Sequence, residues 1–461
     1  MGADTPTAIE LQPYNPAPSP QANQDVEDAT GGGHEMPSLP PVDGGKQAWL
    51  FLAAAFMIEA LVWGFPMSFG VFQNYYTTHP PFAGSSNIAV IGTCALGIMY
   101  LDTPLIMALN RTYPRIARYS TIVGLLLMCL ALALSSFSTT VPQLIVTQGI
   151  FYAIGGSVAY SSCILYLEEW FVQKRGLAYG IMWSATGLAG VIIPLVLEYL
   201  LTAVGVKTTL RVFACAVFIL TAPIAYYIKP RLPIPTVSAA RKIDLGFVLG
   251  KPFLRYQLFN VVEAVGFFLP GIYLPSYARG VLGANPFPSV VTMLLVNVAS
   301  VFGCVAMGSL IDRLEVTKCL LVSTAGATLG VFLLWGLSDN LAVLYAFSIV
   351  YGLFAGSYTS AWPGIMKEIV KWGTTTKNEG EGKSSGGGVV DPSMVFAFLA
   401  LGRGVGNVIS GPLSEALIKG EPWRGEAFGG YGSGYGSLIA FTGATAFVGG
   451  GSWVWKRLGW L

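Results

Sequence analysis

Apolar positions along this chain fall into runs of about twenty residues, long enough as helix to cross a ~30 Å hydrocarbon core. Polar and charged positions are pushed into the stretches between runs. Lipid offers no hydrogen-bond partner to an open strand, and the alternation of a barrel strand is absent, so each run is expected to be helical. The pattern predicts spans near 48–72, 88–109, 119–138, 142–166, 176–201, 210–228, 256–278, 289–311, 319–337, 341–366, 393–417 and 436–455. The expected fold class is therefore all-α integral membrane, with 12 transmembrane helices in two six-helix halves.

Composition supports this. The chain is 53% hydrophobic and 11% charged, whereas a soluble domain carries roughly 25% charged residues. An even number of spans puts both termini on one side. That side, by this span assignment, holds 20 Lys and Arg residues; the other holds Lys207, Arg211, Arg279, Lys419 and Arg424, and Arg403 is left inside a span. Basic residues accumulate in cytoplasmic loops, so both termini are expected in the cytoplasm of a multi-pass protein, with the plasma membrane the expected location. Residues 1–46 carry seven acidic side chains against Lys46 alone and are rich in Pro and Gly. They cannot bury enough apolar surface to fold, which predicts a disordered cytoplasmic tail. The basic, Pro-rich segment 229–255 reads as a cytoplasmic linker between halves at 47–228 and 256–461.

An internal repeat points to the same division. Glu59-Ala60 with Pro66 seven residues after the Glu recurs as Glu263-Ala264 with Pro270, and Gly156-Ser157 recurs as Gly356-Ser357. Intramembrane charge is also unevenly spread. Glu59, Asp102, Glu198, Glu263, Arg403 and Glu415 fall in spans 1, 2, 5, 7 and 11, while the interiors of spans 3, 6, 9 and 12 carry none. Charges in a membrane normally face a cavity or the bundle interior. The four charge-free spans are therefore expected at the lipid-facing periphery.

Several motifs carry a resemblance. Asp43-Gly44-Gly45, Gly64-Phe65-Pro66 and Ser68-Phe69-Gly70-Val71-Phe72 resemble the first signature of the monocarboxylate transporter family. The segment Glu169-Trp170-Phe171-Val172-Gln173-Lys174-Arg175-Gly176-Leu177-Ala178-Tyr179-Gly180 is similar to its second. Arg403-Gly404-Val405-Gly406-Asn407, Ser410-Gly411-Pro412 and Tyr435-Gly436 look like its fungal branch. Gly308-Ser309-Leu310-Ile311-Asp312-Arg313 resembles the loop motif of the wider major facilitator superfamily. The resemblance covers essentially everything after residue 42 and implies the major facilitator fold with secondary transport. Departures limit what carries over. Met67 stands where animal members place a Lys. Asn297 and Val301 align with their Asp and Arg of span 8, and Cys304 takes the place of an Arg found in many fungal relatives. Proton–lactate chemistry therefore does not transfer residue by residue.

Arg403 lies about 15 Å into span 11 at 1.5 Å per residue, followed at helical spacing by Asn407, Ser410 and Ser414. It could bind a substrate carboxylate through its planar fork, or pair structurally within the bundle. Glu59 and Glu263 could carry a proton when water is excluded, or only hydrogen-bond neighbouring helices; neither run shows an obvious partner. Asp102 is a candidate proton site, with a lock between spans 2 and 11 through Arg403 favoured. Trp63, Tyr152, Tyr273 and Asn297 are further candidate substrate contacts.

Other chemistry is set aside. The six cysteines lack CxxC spacing and read as small packing residues. The two histidines, His34 and His79, lie outside the apolar runs. Gly382-Lys383-Ser384 mimics the end of a Walker loop, but Lys377 occupies the position of its first Gly. No cofactor, metal, nucleotide or nucleic acid is expected, and no enzymatic activity. The expected partners are a small molecule, a proton and the lipid bilayer. The leading expectation is secondary transport of a small organic acid or related metabolite by alternating access. Efflux of a fungal secondary metabolite is the alternative, and a non-transporting nutrient sensor is the alternative of another class.

Overall fold

The computed structural model describes residues 39–85, 87–233, 243–380 and 390–459. Most of the expected tail, the centre of the expected linker and the Gly382-Lys383-Ser384 stretch lie outside the described residues. All regular structure among the described residues is helical. Nine apolar helical runs each make one span: α1 (Gly45–Thr78), α3 (Pro114–Ser135), α4 (Val141–Trp170), α7 (Lys251–Gly280), α8 (Pro286–Ile311), α9 (Val316–Trp335), α10 (Leu341–Thr375), α11 (Pro392–Ile418) and α12 (Gly436–Arg457). Helix α2 is the pair Ile88–Leu101 and Thr103–Thr112, bent by 41°. Pro104, in its second piece, has no N–H to continue the ladder across the bend. The remaining run, Arg175–Tyr227, has 53 residues. As continuous helix it would measure about 80 Å, far more than one bilayer core. Gly205 interrupts it with φ 73 and ψ 167, a conformation open to glycine because it has no Cβ. The run therefore makes two spans, α5 (175–204) and α6 (206–227), and the total among the described residues is twelve.

Packing repeats between the first and last six helices. Helix α1 packs on α5 as α7 packs on α11, and α3 on α4 as α9 on α10. The halves meet along α5 with α8 and α2 with α11. Glycines permit the first of these contacts. A Cβ at Gly176 would lie 2.6 Å from Gly308 O, and one at Gly187 would lie 2.7 Å from Asn297 O. The outer helices send Leu126 and Leu130 of α3, Ile219 of α6, Leu333 of α9 and Phe447 of α12 outward, all exposed outside the bundle. In a bilayer those side chains face lipid.

Two signatures from the sequence meet at the face that carries the termini. Asp43, at φ 57, accepts hydrogen bonds from the backbone N–H groups of Val172, Gln173 and Lys174 at 2.8–2.9 Å. Burial alone would raise its pKa, but the amides of Gln173, Lys174 and Val172 and the Lys174 charge outweigh it and hold the carboxyl below its ordinary value. Arg231 donates from Nε to Pro40 O at 2.8 Å, and from its backbone N–H to Glu169 at 2.9 Å. Residues 40–46 and 229–232, expected to be tail and linker, are thus anchored to the start of α5 and the end of α4. Helix α7 begins at Lys251, inside the expected linker.

Candidate functional site

A cavity of about 230 Å³ lies between the two halves, lined by side chains from α1, α2, α4, α5, α7, α8, α10 and α11. Among the described residues, none of its lining comes from α3, α6, α9 or α12. Its wall is mainly apolar and rich in aromatic rings: Trp63, Tyr100, Tyr160, Trp183, Phe267, Phe268, Tyr351, Trp362 and Phe396 all contribute.

Glu59 faces this cavity and is 3% exposed. Its Oε1 accepts a hydrogen bond from Thr186 of α5 at 2.7 Å. Its Oε2 is buried and makes no hydrogen bond of good geometry among the described residues, although the Tyr160 hydroxyl interacts with the carboxyl. Trp63, one helical turn on, stacks obliquely on Tyr100 at 4.8 Å and meets Tyr160 edge-on at 6.0 Å. The Tyr160 hydroxyl in turn accepts a hydrogen bond from Trp183 Nε1 at 2.8 Å.

Arg403 also lines the cavity, but its charge is already matched. Nη1 lies 2.9 Å from Glu263 Oε2, and the two side chains are 3% and 5% exposed. The guanidinium lies 4.1 Å from the Phe267 ring centroid, a cation–π geometry. The expectation that Glu263 lacks a partner is therefore corrected. Glu263 does not line the central cavity; it borders a separate small pocket with Ser323, Thr324, Tyr358 and Thr442.

The same pair corrects the role expected of Asp102. With Arg403 bonded to Glu263, no lock forms to Asp102, and both carboxylate oxygens of Asp102 lack hydrogen-bond partners among the described residues. Asp102 sits at the bend of α2, outside the cavity lining. Tyr152 is also off the cavity. Pro66 has no N–H for the carbonyl four residues earlier, and the Tyr152 hydroxyl fills that gap by donating to Val62 O at 2.8 Å. In the last six helices Tyr351 of α10 likewise donates to a backbone carbonyl of α7, Phe267 O at 3.0 Å, but this is not the carbonyl that Pro270 leaves free. Tyr273 turns away to bond Ser414 at 3.1 Å and to pack on Tyr435. Asn407 likewise lies outside the cavity lining. Asn297 does line it, and ties α8 to α5 by donating from Nδ2 to Gly190 O at 2.9 Å.

Toward the face that carries the termini the cavity is closed by an aromatic layer. Trp183 of α5 meets Phe396 of α11 and Trp362 of α10, each at 6.0 Å. An ionic layer lies beyond. Arg111 of α2 pairs with Asp391 at 2.7 Å and bonds Ser393 at 2.8 Å, both at the start of α11. Across the pseudo-repeat, Asp312 at the end of α8 accepts from the N–H groups of Gly176 and Leu177 at 2.7 and 2.9 Å, capping the exposed amides of α5. Toward the opposite face the lining ends at Met67, Gly271 and Met293, and no ion pair joins the halves there among the described residues. This conformation is closed at the terminal face.

Comparison with known sequences places this fold in a family. The family model described as Major Facilitator Superfamily matches residues 51–376. The chain belongs to the Major Facilitator Superfamily. This transporter is similar to the MFS transporter asaE of Aspergillus flavus, with 29% identity over 73% of this chain and 76% of that protein. It is also similar to the Fujikurins efflux protein of Gibberella fujikuroi, 25% identical over 77% and 76%. Monocarboxylate transporter 13 of Bos taurus is 26% identical over 72% and 78%. The fungal branch of the monocarboxylate-transporter-like sequences is the part of the superfamily it resembles.

The sequence reading missed Tyr100, Tyr160, Trp183, Thr186, Trp362 and Phe396 as cavity residues. One signal was present. Tryptophan usually anchors at the membrane interface, whereas Trp63, Trp183 and Trp362 lie well inside their spans.

Proposed function

We propose that this transporter exports an amphipathic organic metabolite across the plasma membrane by proton-coupled alternating access. The observation that carries this reading is the aromatic-rich cavity in which Glu59 meets only hydroxyl partners and no positive charge, while Arg403 is already neutralised by Glu263. Aromatic walls suit a ligand with flat or apolar surface. A buried ionised carboxylate is costly without a counter-charge, so Glu59 needs a positive partner, and a proton is the simplest one. The names of fungal relatives such as the Fujikurins efflux protein and the Agnestins efflux protein AgnL12 of Paecilomyces divaricatus favour export.

With the basic loops in the cytoplasm, the terminal face is the cytoplasmic one, and the conformation described is outward-facing. Rocking of the two halves would break the Arg111–Asp391 and Asp312–α5 contacts and part the aromatic layer, opening the same cavity to the cytoplasm.

A second reading is uptake of an organic acid, favoured by the position of Arg403 in the cavity wall and by the likeness to monocarboxylate transporter 13. The two are separated in proteoliposomes loaded with a panel of aromatic metabolites and, in parallel, labelled monocarboxylates, with and without an imposed pH gradient. Export predicts proton-driven movement of the aromatic compounds out of the compartment that the terminal face contacts. Accumulation of the monocarboxylates alone would establish the second reading.

A further inference from the structure

Glu59 sits where the polar and aromatic features of the cavity converge, and the surrounding groups define what it can hold. Thr186 satisfies one carboxylate oxygen, the Tyr160 hydroxyl also interacts with the carboxyl, and no positively charged side chain does. Around it stand Trp63 of its own helix, Tyr100 of α2, Tyr160 of α4 and Trp183 of α5. The titratable or charged groups that sense its charge from the packed elements are Tyr100, Tyr160, Cys163 and Cys304. None of these supplies a positive charge. Arg403, the only basic side chain among the described lining residues, is spent on Glu263, on the Phe267 ring and on the Tyr100 hydroxyl.

A carboxylate among aromatic faces has a definite chemical complement. Ring quadrupoles attract a cation placed over their faces, most strongly when it is desolvated, and the carboxylate supplies the matching charge. A carboxylate ligand at this position would meet Glu59 as a like charge and would have to displace Glu263 to reach Arg403. A ligand with a positively charged nitrogen meets neither obstacle.

We propose that Glu59, Trp63, Tyr100, Tyr160 and Trp183 form a subsite for a protonated amine or quaternary ammonium group, and that this group and the coupling proton compete for the Glu59 carboxylate. The proposal rests on the export reading above and narrows its substrate class to organic bases with apolar or aromatic bodies. Competition supplies the coupling. The cation binds when Glu59 is ionised, and a proton taken up after the cation leaves neutralises the carboxylate for the return step. One proton then moves against each cation.

The test uses the purified full-length protein and three probes with one ring system: 1-naphthylmethylamine, 1-naphthalenemethanol and 1-naphthoate. Equilibrium dialysis at neutral pH is expected to rank the amine tightest, by about tenfold over the alcohol. Acidification should weaken the amine and leave the alcohol unchanged, and amine binding in weak buffer should release a proton. Glu59→Gln should remove the preference for the amine and keep alcohol binding. Should that variant fail to fold, Trp63→Leu should erode the preference, and the ranking and proton release of the wild type still decide. An amine that binds no tighter than the alcohol, or whose advantage survives Glu59→Gln, overturns the proposal. Preferred binding of naphthoate also overturns it while leaving a transporter of acids standing. An amine that binds with proton release but is not moved by proteoliposomes supports the subsite and counts against the export reading alone.

Discussion

Arg403 of α11 and Glu263 of α7 form a buried ion pair at 2.9 Å between Nη1 and Oε2. The pair joins two helices of the same half, and it converts two residues that looked like independent transport groups into one electrically neutral unit. Its energetics are asymmetric. Removing one partner leaves an uncompensated buried charge, which costs about 3–5 kcal/mol, whereas replacing both with apolar residues of similar volume is often neutral or stabilising. Glu263→Leu and Arg403→Met should each lower the melting temperature of the purified protein strongly, and the double variant should recover most of the loss. Additive losses would show that the two residues do not act as a pair.

The terminal-face latch should respond to charge reversal. Arg111 and Asp391 are about one-sixth exposed, so the pair contributes about 1 kcal/mol or less. That is enough to shift the balance between open and closed forms severalfold. Arg111→Asp and Asp391→Arg should each open the terminal face, and the double reversal should close it again. Distances between spin labels on the terminal-face ends of α2 and α11 report the change. A double reversal that behaves like either single variant would show that the latch does not depend on this pair.

Gly176 tests the helix contact behind that latch. A side chain there would collide with the carbonyl of Gly308, so Gly176→Leu should force α5 from α8 at the terminal face and weaken the Asp312 bonds. The protein should still fold, because the collision is relieved in the open conformation, and the spin-label distance between the ends of α5 and α8 should lengthen. An unchanged distance would mean that α5 and α8 do not need this close approach.

Asp43 gives a pH dependence. Its carboxyl is held below the ordinary carboxylate value by three backbone amides. A group with a depressed folded pKa contributes stability that is present above its unfolded value and lost as pH falls through the folded one. Asp43→Asn should therefore lower the melting temperature at neutral pH, and the gap to wild type should shrink as pH falls below about 4, the unfolded carboxylate range. A gap that is constant with pH would mean that the side chain acts through shape alone.

Much of this architecture was legible because the bilayer constrains the sequence so strongly. Apolar runs gave the spans, and the absence of charge picked out α3, α6, α9 and α12 as the helices that supply nothing to the cavity. Gly205 hid inside one continuous helical run, yet twice the bilayer length left only one interpretation. Individual side-chain roles were harder to read. Nothing in the spacing of Glu263 and Arg403, 140 residues apart, shows that they meet. Tyr152 looked like a cavity tyrosine because its partner is a carbonyl exposed by Pro66, and backbone carbonyls do not appear in a sequence pattern. Trp183 and Phe396 gain their role only when the halves close, a property of packing between distant segments.

The claim that a single central cavity is reached alternately from the two faces is tested most directly by labelling Ser300→Cys, in the cavity wall, in a background whose native cysteines are serine. A membrane-impermeant maleimide is applied to sealed proteoliposomes from each face in turn, with and without Asp391→Arg. The account predicts labelling mainly from the face opposite the termini in the parent protein, and a shift toward the terminal face when the latch is broken. Labelling confined to one face under both conditions would contradict alternating access through this cavity.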